Sequence, residues 1–321
     1  MGNLQPAKHQ LTPREQGVVT NTWISCSAVS LSAISIVILC MVILQQYKKP
    51  HQQLVFTMFC FTFGIYFFGV IAGDEGISVT QTTFCTVAGF LFQLCWNANI
   101  VGVLAISVNL YRSIVSLKPM KSSSLPLFHF FIWTYSFFLS SLPLTTNSYG
   151  WAGLYCWLDS SRDGMYWRMI TLYWPMIAYD AIMLLIYGMV LFRVVQQRTL
   201  LVDSPRTSAD ARDKPLIAGS YIKFMVLYPL VFFLFSTPAL VNRYYAAYTG
   251  LVNYQLYVAQ SVTVGLMGLA YSLVFGWVVL KHWREILIRI RLLSILLKER
   301  CCPQSFEIIR DSRPPSEQQT T

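Results

Sequence analysis

The sequence predicts an all-α membrane protein, a bundle of seven transmembrane helices followed by an amphipathic helix at the membrane interface. Of its 321 residues, 55% are hydrophobic and only 12% are charged, whereas soluble domains carry about 25% charged residues. Mean hydropathy is +0.50. Seven apolar stretches reach the roughly 20 residues that a spanning helix needs. This composition excludes a soluble enzyme, a disordered chain and a secreted domain stapled by disulfides.

The seven apolar stretches are predicted to be helices rather than strands. They are far longer than the strands of membrane barrels, which have about 10 residues, and they show no alternation of polar and apolar residues. A helix also satisfies its own backbone hydrogen bonds inside the bilayer. We place a short extracellular N-terminus at 1–17 and the seven-helix domain at 18–280, with the apolar stretches at 20–44, 54–71, 84–110, 125–144, 167–192, 222–242 and 251–280.

Basic residues beside the helix ends predict the orientation of the chain. Nineteen of the 24 lysine and arginine residues lie on one side of the predicted helices, and five lie on the other. Cytoplasmic segments carry the excess of basic residues. We therefore predict a multi-pass protein of the plasma membrane with an extracellular N-terminus and a cytoplasmic C-terminus. The net charge of +10 divides into a neutral outer face, one acid inside a helix and an inner face with a charge near +11. An inner face of this charge attracts anionic lipid, so the basic excess needs no nucleic acid as a partner.

Two cysteines are predicted at the outer surface. Cys85 begins the third apolar stretch, and Cys156 lies in the second outer loop within Tyr155-Cys156-Trp157. A disulfide between them would persist in an oxidising space and tie the loop over the mouth of the bundle. The alternative is two unrelated thiols.

One acid falls inside the predicted membrane region. Asp180 lies near the middle of the fifth stretch, where a carboxylate is costly and usually faces the bundle interior with a partner. It is interpreted as a ligand-binding or switch residue, or else as a hydrogen-bonded structural acid. Asn97 and Asn99 lie at a similar depth in the third helix and are candidate partners, although their spacing points them to different faces.

Polar residues near the outer ends of the last two helices form a candidate ligand pocket. Arg243 is suited to clamp an anionic ligand there, although an arginine at a helix end also commonly lies at the headgroup level. The other candidates are Asn242, Tyr254, Gln255, Tyr257 and Gln260, with Arg162 and Arg168 in the loop above.

Prolines predict kinks in two helices. Pro175 lies in the fifth stretch, and Pro229 and Pro238 lie in the sixth. Each removes a backbone hydrogen bond. Two weak points in one helix suit an outward swing of its inner end, while proline is also simply common in membrane helices.

The cytoplasmic side carries two features of its own. Asn109-Leu110-Tyr111-Arg112 ends the third helix, and Arg112 is interpreted either as a switch that turns toward a partner or as an anchor that snorkels to lipid headgroups. After the seventh helix, apolar residues at helical spacing predict an amphipathic helix at 281–300 that lies in the inner interface. Cys301 and Cys302 follow it as candidate palmitoylation sites, and 301–321 is predicted to be a flexible tail.

Motifs in the last two helices carry a resemblance to a known family. The sequence resembles the slime-mould cyclic-AMP-receptor-like family of G-protein-coupled receptors, of class E type, and fungal nutrient-sensing receptors share its general look. The resembling motifs are Leu227-Tyr228-Pro229-Leu230-Val231-Phe232, Thr237-Pro238-Ala239, Val241-Asn242-Arg243, Gly265-Leu266-Met267-Gly268 and Ser272-Leu273-Val274-Phe275-Gly276-Trp277.

The resemblance covers roughly residues 18–300 and implies a function. It implies a receptor that binds an extracellular small molecule, cyclic AMP or a nutrient, and activates a heterotrimeric G protein through its inner loops. Tyr111, Arg112 and Lys223 are then the candidate coupling residues. The fourth helix departs from the family, with Phe131-Ile132-Trp133-Thr134 where a Gly-Trp-Gly sequence is typical.

A small-solute transporter or channel is the alternative function. Transport needs a continuous polar path, and only Asp180 with the two asparagines suggests one. The stretch 251–280 contains no lysine for a retinal Schiff base. No zinc-protease motif is present and the four histidines are scattered, so neither an enzyme nor a cofactor or metal site is predicted.

Overall fold

The computed structural model describes residues 11–48, 50–73, 83–118, 121–152, 155–203, 226–249, 251–280 and 288, and within them it confirms the seven-helix bundle. The helices are α1 (Pro13–Ile43), α2 (Pro50–Ile71), α3 (Thr83–Ile114), α4 (Leu125–Ser141), α5, α6 (Leu227–Thr249) and α7 (Tyr254–Leu280). Helix α5 is a continuous rod of three segments, Arg162–Arg168, the π-helical turn Met169–Tyr173 and Trp174–Asp203. A hairpin of β1 (Tyr149–Trp151) and β2 (Cys156–Leu158) joins α4 to α5, and short 3₁₀ turns lie at Gln46–Lys48, Ser122–Ser124 and Leu142–Thr146.

The helices make this a multi-pass membrane protein. Six helices within the described residues are long and apolar enough to cross a bilayer. The remaining helix of the seven, α6, has a lower hydropathy than these six because it carries Asn242, Arg243 and Pro238 among its apolar residues. It nevertheless packs against α3 and α7 as part of the same bundle.

Several helices extend beyond the apolar stretches that predicted them. Helix α1 begins at Pro13, where Thr12 and Glu15 form a reciprocal capping box. Helix α5 begins at Arg162, capped by Ser161, and continues to Asp203. The predicted stretch 167–192 is therefore too short at both ends, because polar residues stay helical once they leave the hydrocarbon region. The chain from 204 to 225 lies outside the described residues.

Helix α3 occupies the centre of the bundle. Its most apolar window is 83% buried, compared with 28% for the corresponding windows of α1, α4 and α5. It packs against α2, α4, α5, α6 and the hairpin. A helix that is covered on all sides has few lipid-facing positions, so its polar side chains must find partners on the helices around it.

The prolines act differently from one another. Pro175 lies two residues after the π-helical turn Met169–Tyr173, and such turns accommodate a local break in the helical ladder. Pro238 lies inside α6 as predicted. Pro229 lies in the first turn of α6, and the kink expected there stays a prediction because residues 204–225 lie outside the described part of the chain.

Helices α1, α2 and α7 pack closely through two glycines of α7. A Cβ atom at Gly265 would lie 2.6 Å from Cys26 Cβ. One at Gly268 would lie 2.5 Å from Ile34 Cδ1 and 3.0 Å from Ser30 Cβ. Small residues permit this approach of helix backbones in membranes.

We predict that Gly268→Ala destabilises the bundle and that Gly276→Ala, on the same helix, does not. The added methyl group at position 268 must displace well-packed atoms, which costs about 1–3 kcal/mol. At Gly276 a Cβ meets nothing within 4 Å. Thermal unfolding in detergent measures the difference. Equal midpoints for the two variants would contradict the close packing of α7.

Candidate functional site

The β-hairpin lies against the outer end of α3. Cys85, in the first turn of α3, forms the predicted disulfide with Cys156 of β2, with their Cα atoms 5.2 Å apart. The N–H of Cys156 also donates to Ala72 O, at the end of α2, over 3.1 Å. All three residues of β2 are buried. A Cβ at Gly89 of α3 would lie 3.1 Å from Trp157 Cα, so the strand backbone touches the helix at this glycine.

Trp157 anchors the hairpin to α3 and α5 through a chain of polar contacts. Its indole N–H donates to Gln93 Oε1, and Gln93 Nε2 donates to Thr171 Oγ1 over 3.2 Å. Arg168 lies with its Cζ 5.0 Å from the centre of the Trp157 ring. The Arg168 Nε donates to Leu158 O over 3.1 Å. One buried tryptophan thus connects the hairpin, α3 and the π-helical turn of α5.

A small cavity lies directly beneath the hairpin. Its volume of about 30 Å³ is enough for one or two waters and far below the several hundred Å³ of a drug-sized ligand pocket. Half of its lining residues are aromatic, and its lining includes Phe92, Trp96, Tyr155, Trp157, Tyr173 and Gln260. The site is therefore narrow in this structure, and a ligand must widen it.

Two arginines stand beside this cavity. Arg168 of α5 is buried and Arg243 of α6 is half-buried. The Arg243 Nη1 donates to Tyr257 Oη over 2.9 Å, and its Cζ lies 5.1 Å from the centre of the same ring. The Arg243 Nε is buried without a hydrogen-bond acceptor in the described part of the chain.

No carboxylate balances these two positive charges within the described residues. Three tyrosines, Tyr155, Tyr173 and Tyr257, act electrostatically on both arginines, and Arg243 also acts on Arg168. Burial raises the pKa of Tyr155 to about 12, so its hydroxyl stays neutral at physiological pH. Among the residues that the structure describes, the outer end of the bundle therefore holds a positive, partly desolvated centre beside aromatic side chains.

Some of the predicted pocket residues are brought together, and others are not. Arg243 and Tyr257 contact each other, and Gln260 lines the cavity while it accepts a hydrogen bond of 2.6 Å from Asn242 Nδ2. Tyr254 lies one turn before Tyr257 and is half-buried. Arg162 is exposed at the beginning of α5, away from the buried Arg168.

The two asparagines of α3 bind neighbouring helices rather than Asp180. Asn97 Nδ2 donates to Ser140 Oγ of α4 over 3.2 Å, and Asn99 Nδ2 donates to Thr62 Oγ1 of α2. Both side chains are buried. They lie on different faces of α3, as their spacing predicts, and both faces are interior because α4 covers one and α2 the other.

Asp180 is buried near the middle of α5. Only 6% of its surface is exposed, and neither carboxylate oxygen has a hydrogen-bond partner among the described residues. Its charge acts on Tyr271 of α7, whose buried hydroxyl likewise has no hydrogen-bond partner in the described part of the chain. Asp180 therefore lies on the interior face of the bundle, apart from both asparagines.

Gln93, Tyr173 and Trp157 are site residues that the sequence did not single out. Gln93 is an amide inside an apolar stretch, one helical turn before Asn97, which is the same signal that drew attention to the asparagines. Tyr173 and Trp157 carry no such signal, because aromatic residues are common in membrane proteins and only the folded hairpin brings them to the cavity.

The predicted cytoplasmic residues are only partly covered by the structure. Tyr111 and Arg112 are half-buried in the last turn of α3. Lys223, Cys301 and Cys302 lie outside the described residues. So does the predicted amphipathic helix at 281–300, except for the exposed Ile288.

The chain is similar in structure to squid rhodopsin. The match has a TM-score of 0.58 at 16% sequence identity and covers 84% of this chain and 88% of the rhodopsin chain. No protein-family model matches the sequence, and no curated protein matches it. The structural match at this identity shows the fold, a rhodopsin-like seven-helix bundle.

We predict that Cys156→Ala weakens the attachment of the hairpin. The disulfide closes a loop of 71 residues in sequence, and removing such a bond costs about 2–5 kcal/mol of stability. Cys60→Ala is the matched control, since Cys60 is free and exposed on the outside of α2. Thermal unfolding with and without reductant measures both variants. If reductant leaves the thermal midpoint of the wild-type protein unchanged, the disulfide does not stabilise the fold.

Proposed function

We propose that this protein is a seven-transmembrane receptor that binds an extracellular anionic small molecule beneath the β-hairpin and activates a heterotrimeric G protein. The observation that carries the proposal is the pair of arginines, Arg168 and Arg243, without a carboxylate partner among the described residues. The rhodopsin-like bundle supports the receptor class, and the arginine pair supports the site.

An anion is the ligand chemistry that this site lacks. Two guanidinium groups that lose water without a counter-ion repel each other, and their desolvation is unfavourable. A carboxylate or phosphate would offset both effects through charge-assisted and bidentate hydrogen bonds. The buried Nε of Arg243 is a donor without an acceptor among the described residues. Aromatic walls formed by Tyr155, Trp157 and Tyr173 would pack against the rest of the ligand.

The position of the arginines on different helices gives binding a mechanical consequence. Arg168 belongs to α5 and Arg243 to α6, while Tyr257 belongs to α7. A ligand that bridges them would change the spacing of these helices at their outer ends. Pro238 lies between Arg243 and the inner end of α6, so the helix can bend there and pass the movement inward. The ligand shifts the population only by the difference in its affinity for the two states.

The inner face is the proposed coupling surface. With the N-terminus outside, as the distribution of basic residues predicts, Tyr111, Arg112 and Lys223 lie at the cytoplasmic side. We propose that they contact the G protein, that 281–300 lies on the inner leaflet, and that Cys301 and Cys302 carry palmitate. The resemblance to cyclic-AMP-receptor-like proteins makes cyclic nucleotides the first ligands to test. The positive site favours them and organic acids over neutral sugars.

We predict that ligands which activate the receptor carry a negative charge and lose potency when the arginines are neutralised. Arg168→Gln and Arg243→Gln should each raise the concentration for half-maximal activation by about 10- to 100-fold, since a charge-assisted hydrogen bond contributes about 1.5–3 kcal/mol. The measurement is ligand-dependent GTP-analogue exchange in membranes, with a panel of cyclic nucleotides, organic acids, amino acids and sugars.

Arg162→Gln is the matched control, because Arg162 is an exposed arginine of the same helix. It should leave the response within about twofold. Equal losses in all three variants would point to a diffuse charge effect instead of this site. No activation by any member of the panel, together with solute flux through the protein in liposomes, would favour the transporter.

A further inference from the structure

Two side-chain hydroxyl groups from other helices form hydrogen bonds with backbone groups near the middle of α7. The N–H of Gly268 donates to Tyr66 Oη over 2.9 Å, and the same hydroxyl donates to Val264 O over 2.7 Å. The N–H of Leu269 donates to Ser30 Oγ over 3.0 Å, and that hydroxyl donates to Gly265 O. Residues 264 and 268, and residues 265 and 269, are the pairs that bond directly in a regular α-helix.

The geometry is that of a bridge inserted into the helical ladder. A hydroxyl has one donor and two acceptor sites, so it can accept from the N–H and donate to the C=O that the helix would pair with each other. Two consecutive pairs are bridged in this way, one by Ser30 of α1 and the other by Tyr66 of α2. Insertion of a side chain into the ladder is one of the recognised causes of helix bending.

The usual behaviour of hydroxyl residues in this bundle is different. Ser32 and Ser35 on the same helix as Ser30 bond only to carbonyls of their own helix, at Ala28 and Leu31. Ser30 and Tyr66 instead reach across to α7, and both are fully buried. They reach it because Gly265 and Gly268 present bare backbone to α1 and α2.

We propose that the turn of α7 from Val264 to Leu269 is a two-state hinge. In the open state only the hydroxyls of Ser30 and Tyr66 connect these backbone groups, through the four hydrogen bonds given above. In the closed state the N–H groups of Gly268 and Leu269 bond directly to Val264 O and Gly265 O, and the two hydroxyls disengage. Every backbone group is satisfied in both states, whereas the two buried hydroxyls keep these partners only in the open state.

The hinge separates two parts of α7 with different surroundings. Its outer part carries Tyr257 and Gln260 beside the cavity, and its inner part carries Tyr271, which packs against Tyr228 of α6 with ring centres 5.9 Å apart. Closing the hinge would therefore re-aim the inner half of α7 and the ring of Tyr271 relative to α6. This hinge is a property of the fold and does not depend on which ligand the receptor binds.

The test removes the hydroxyls without changing side-chain shape. In Ser30→Ala combined with Tyr66→Phe, the freed N–H and C=O groups can pair with each other only if the turn closes. We expect the amides of Gly268 and Leu269 to exchange with deuterium about tenfold more slowly in this double variant, because direct helical bonds replace the bridged ones. Mass spectrometry with fragmentation to single residues, on the full chain in nanodiscs, reads this exchange.

A matched double variant, Ser32→Ala with Tyr245→Phe, removes one hydroxyl from α1 and one from an exposed tyrosine of α6 and should leave α7 exchange unchanged. Faster exchange at Gly268 and Leu269, with a thermal midpoint lowered by more than about 4 °C, would mean that the hydroxyls are structural ties and would overturn the hinge. Unchanged exchange would overturn it as well.

The exchange measurement needs neither ligand nor G protein, so it stands apart from the proposed receptor function. If the function is correct, the same double variant should also change basal GTP-analogue exchange relative to its matched control. Slower amide exchange without any change in GTP-analogue exchange would support the hinge but contradict its coupling to the receptor state.

Discussion

The absence of water from the bilayer interior is the constraint on which the rest of this structure depends. Each backbone polar group must be paired inside the protein, and the helix is the form that does this within one segment. The seven helices follow from that requirement. Polar side chains inside the bundle meet the same requirement by pairing across helices, as Asn99 does with Thr62 and Asn97 with Ser140. The interior contacts of α3 are thus the consequence of placing a polar-bearing helix at the centre.

Most buried polar groups of the bundle are paired, so the buried groups that lack a hydrogen-bond partner among the described residues indicate candidate functional positions. Within the described part of the chain, Arg243 retains a buried donor without an acceptor, and Asp180 retains two buried oxygens without donors. The two sit apart along the bundle, since the Arg243 site lies under the hairpin and Asp180 faces Tyr271. They therefore do not neutralise each other. A buried positive centre without a carboxylate among the described residues favours a negative partner.

The outer hairpin and the α7 hinge link this site to the helices. Trp157 joins the hairpin to α3 through Gln93 and to α5 through Arg168, so a ligand that displaces the strand also disturbs both helices. Helix α7 carries Tyr257 and Gln260 at the site, and it is fixed to α1 and α2 only one to two turns further in, by Ser30 and Tyr66. Movement at the outer end thus acts on the part of α7 whose backbone bonds have two ways of being made.

The sequence by itself determined the membrane class, the seven spans and the disulfide pairing, because hydropathy is a local property and only two cysteines fell at the outer surface. It found the sixth span although Asn242 and Arg243 lower its hydropathy. It could not separate Arg168 from Arg162: the two lie six residues apart on one helix, so they point in different directions, and the packing of α5 against the hairpin decides which is buried. It placed Asn97 and Asn99 beside Asp180 by depth alone, whereas the rotation of α3 directs them to α4 and α2. Only the tertiary structure decided these points, because the facing of a helix depends on its neighbours and not on its own residues.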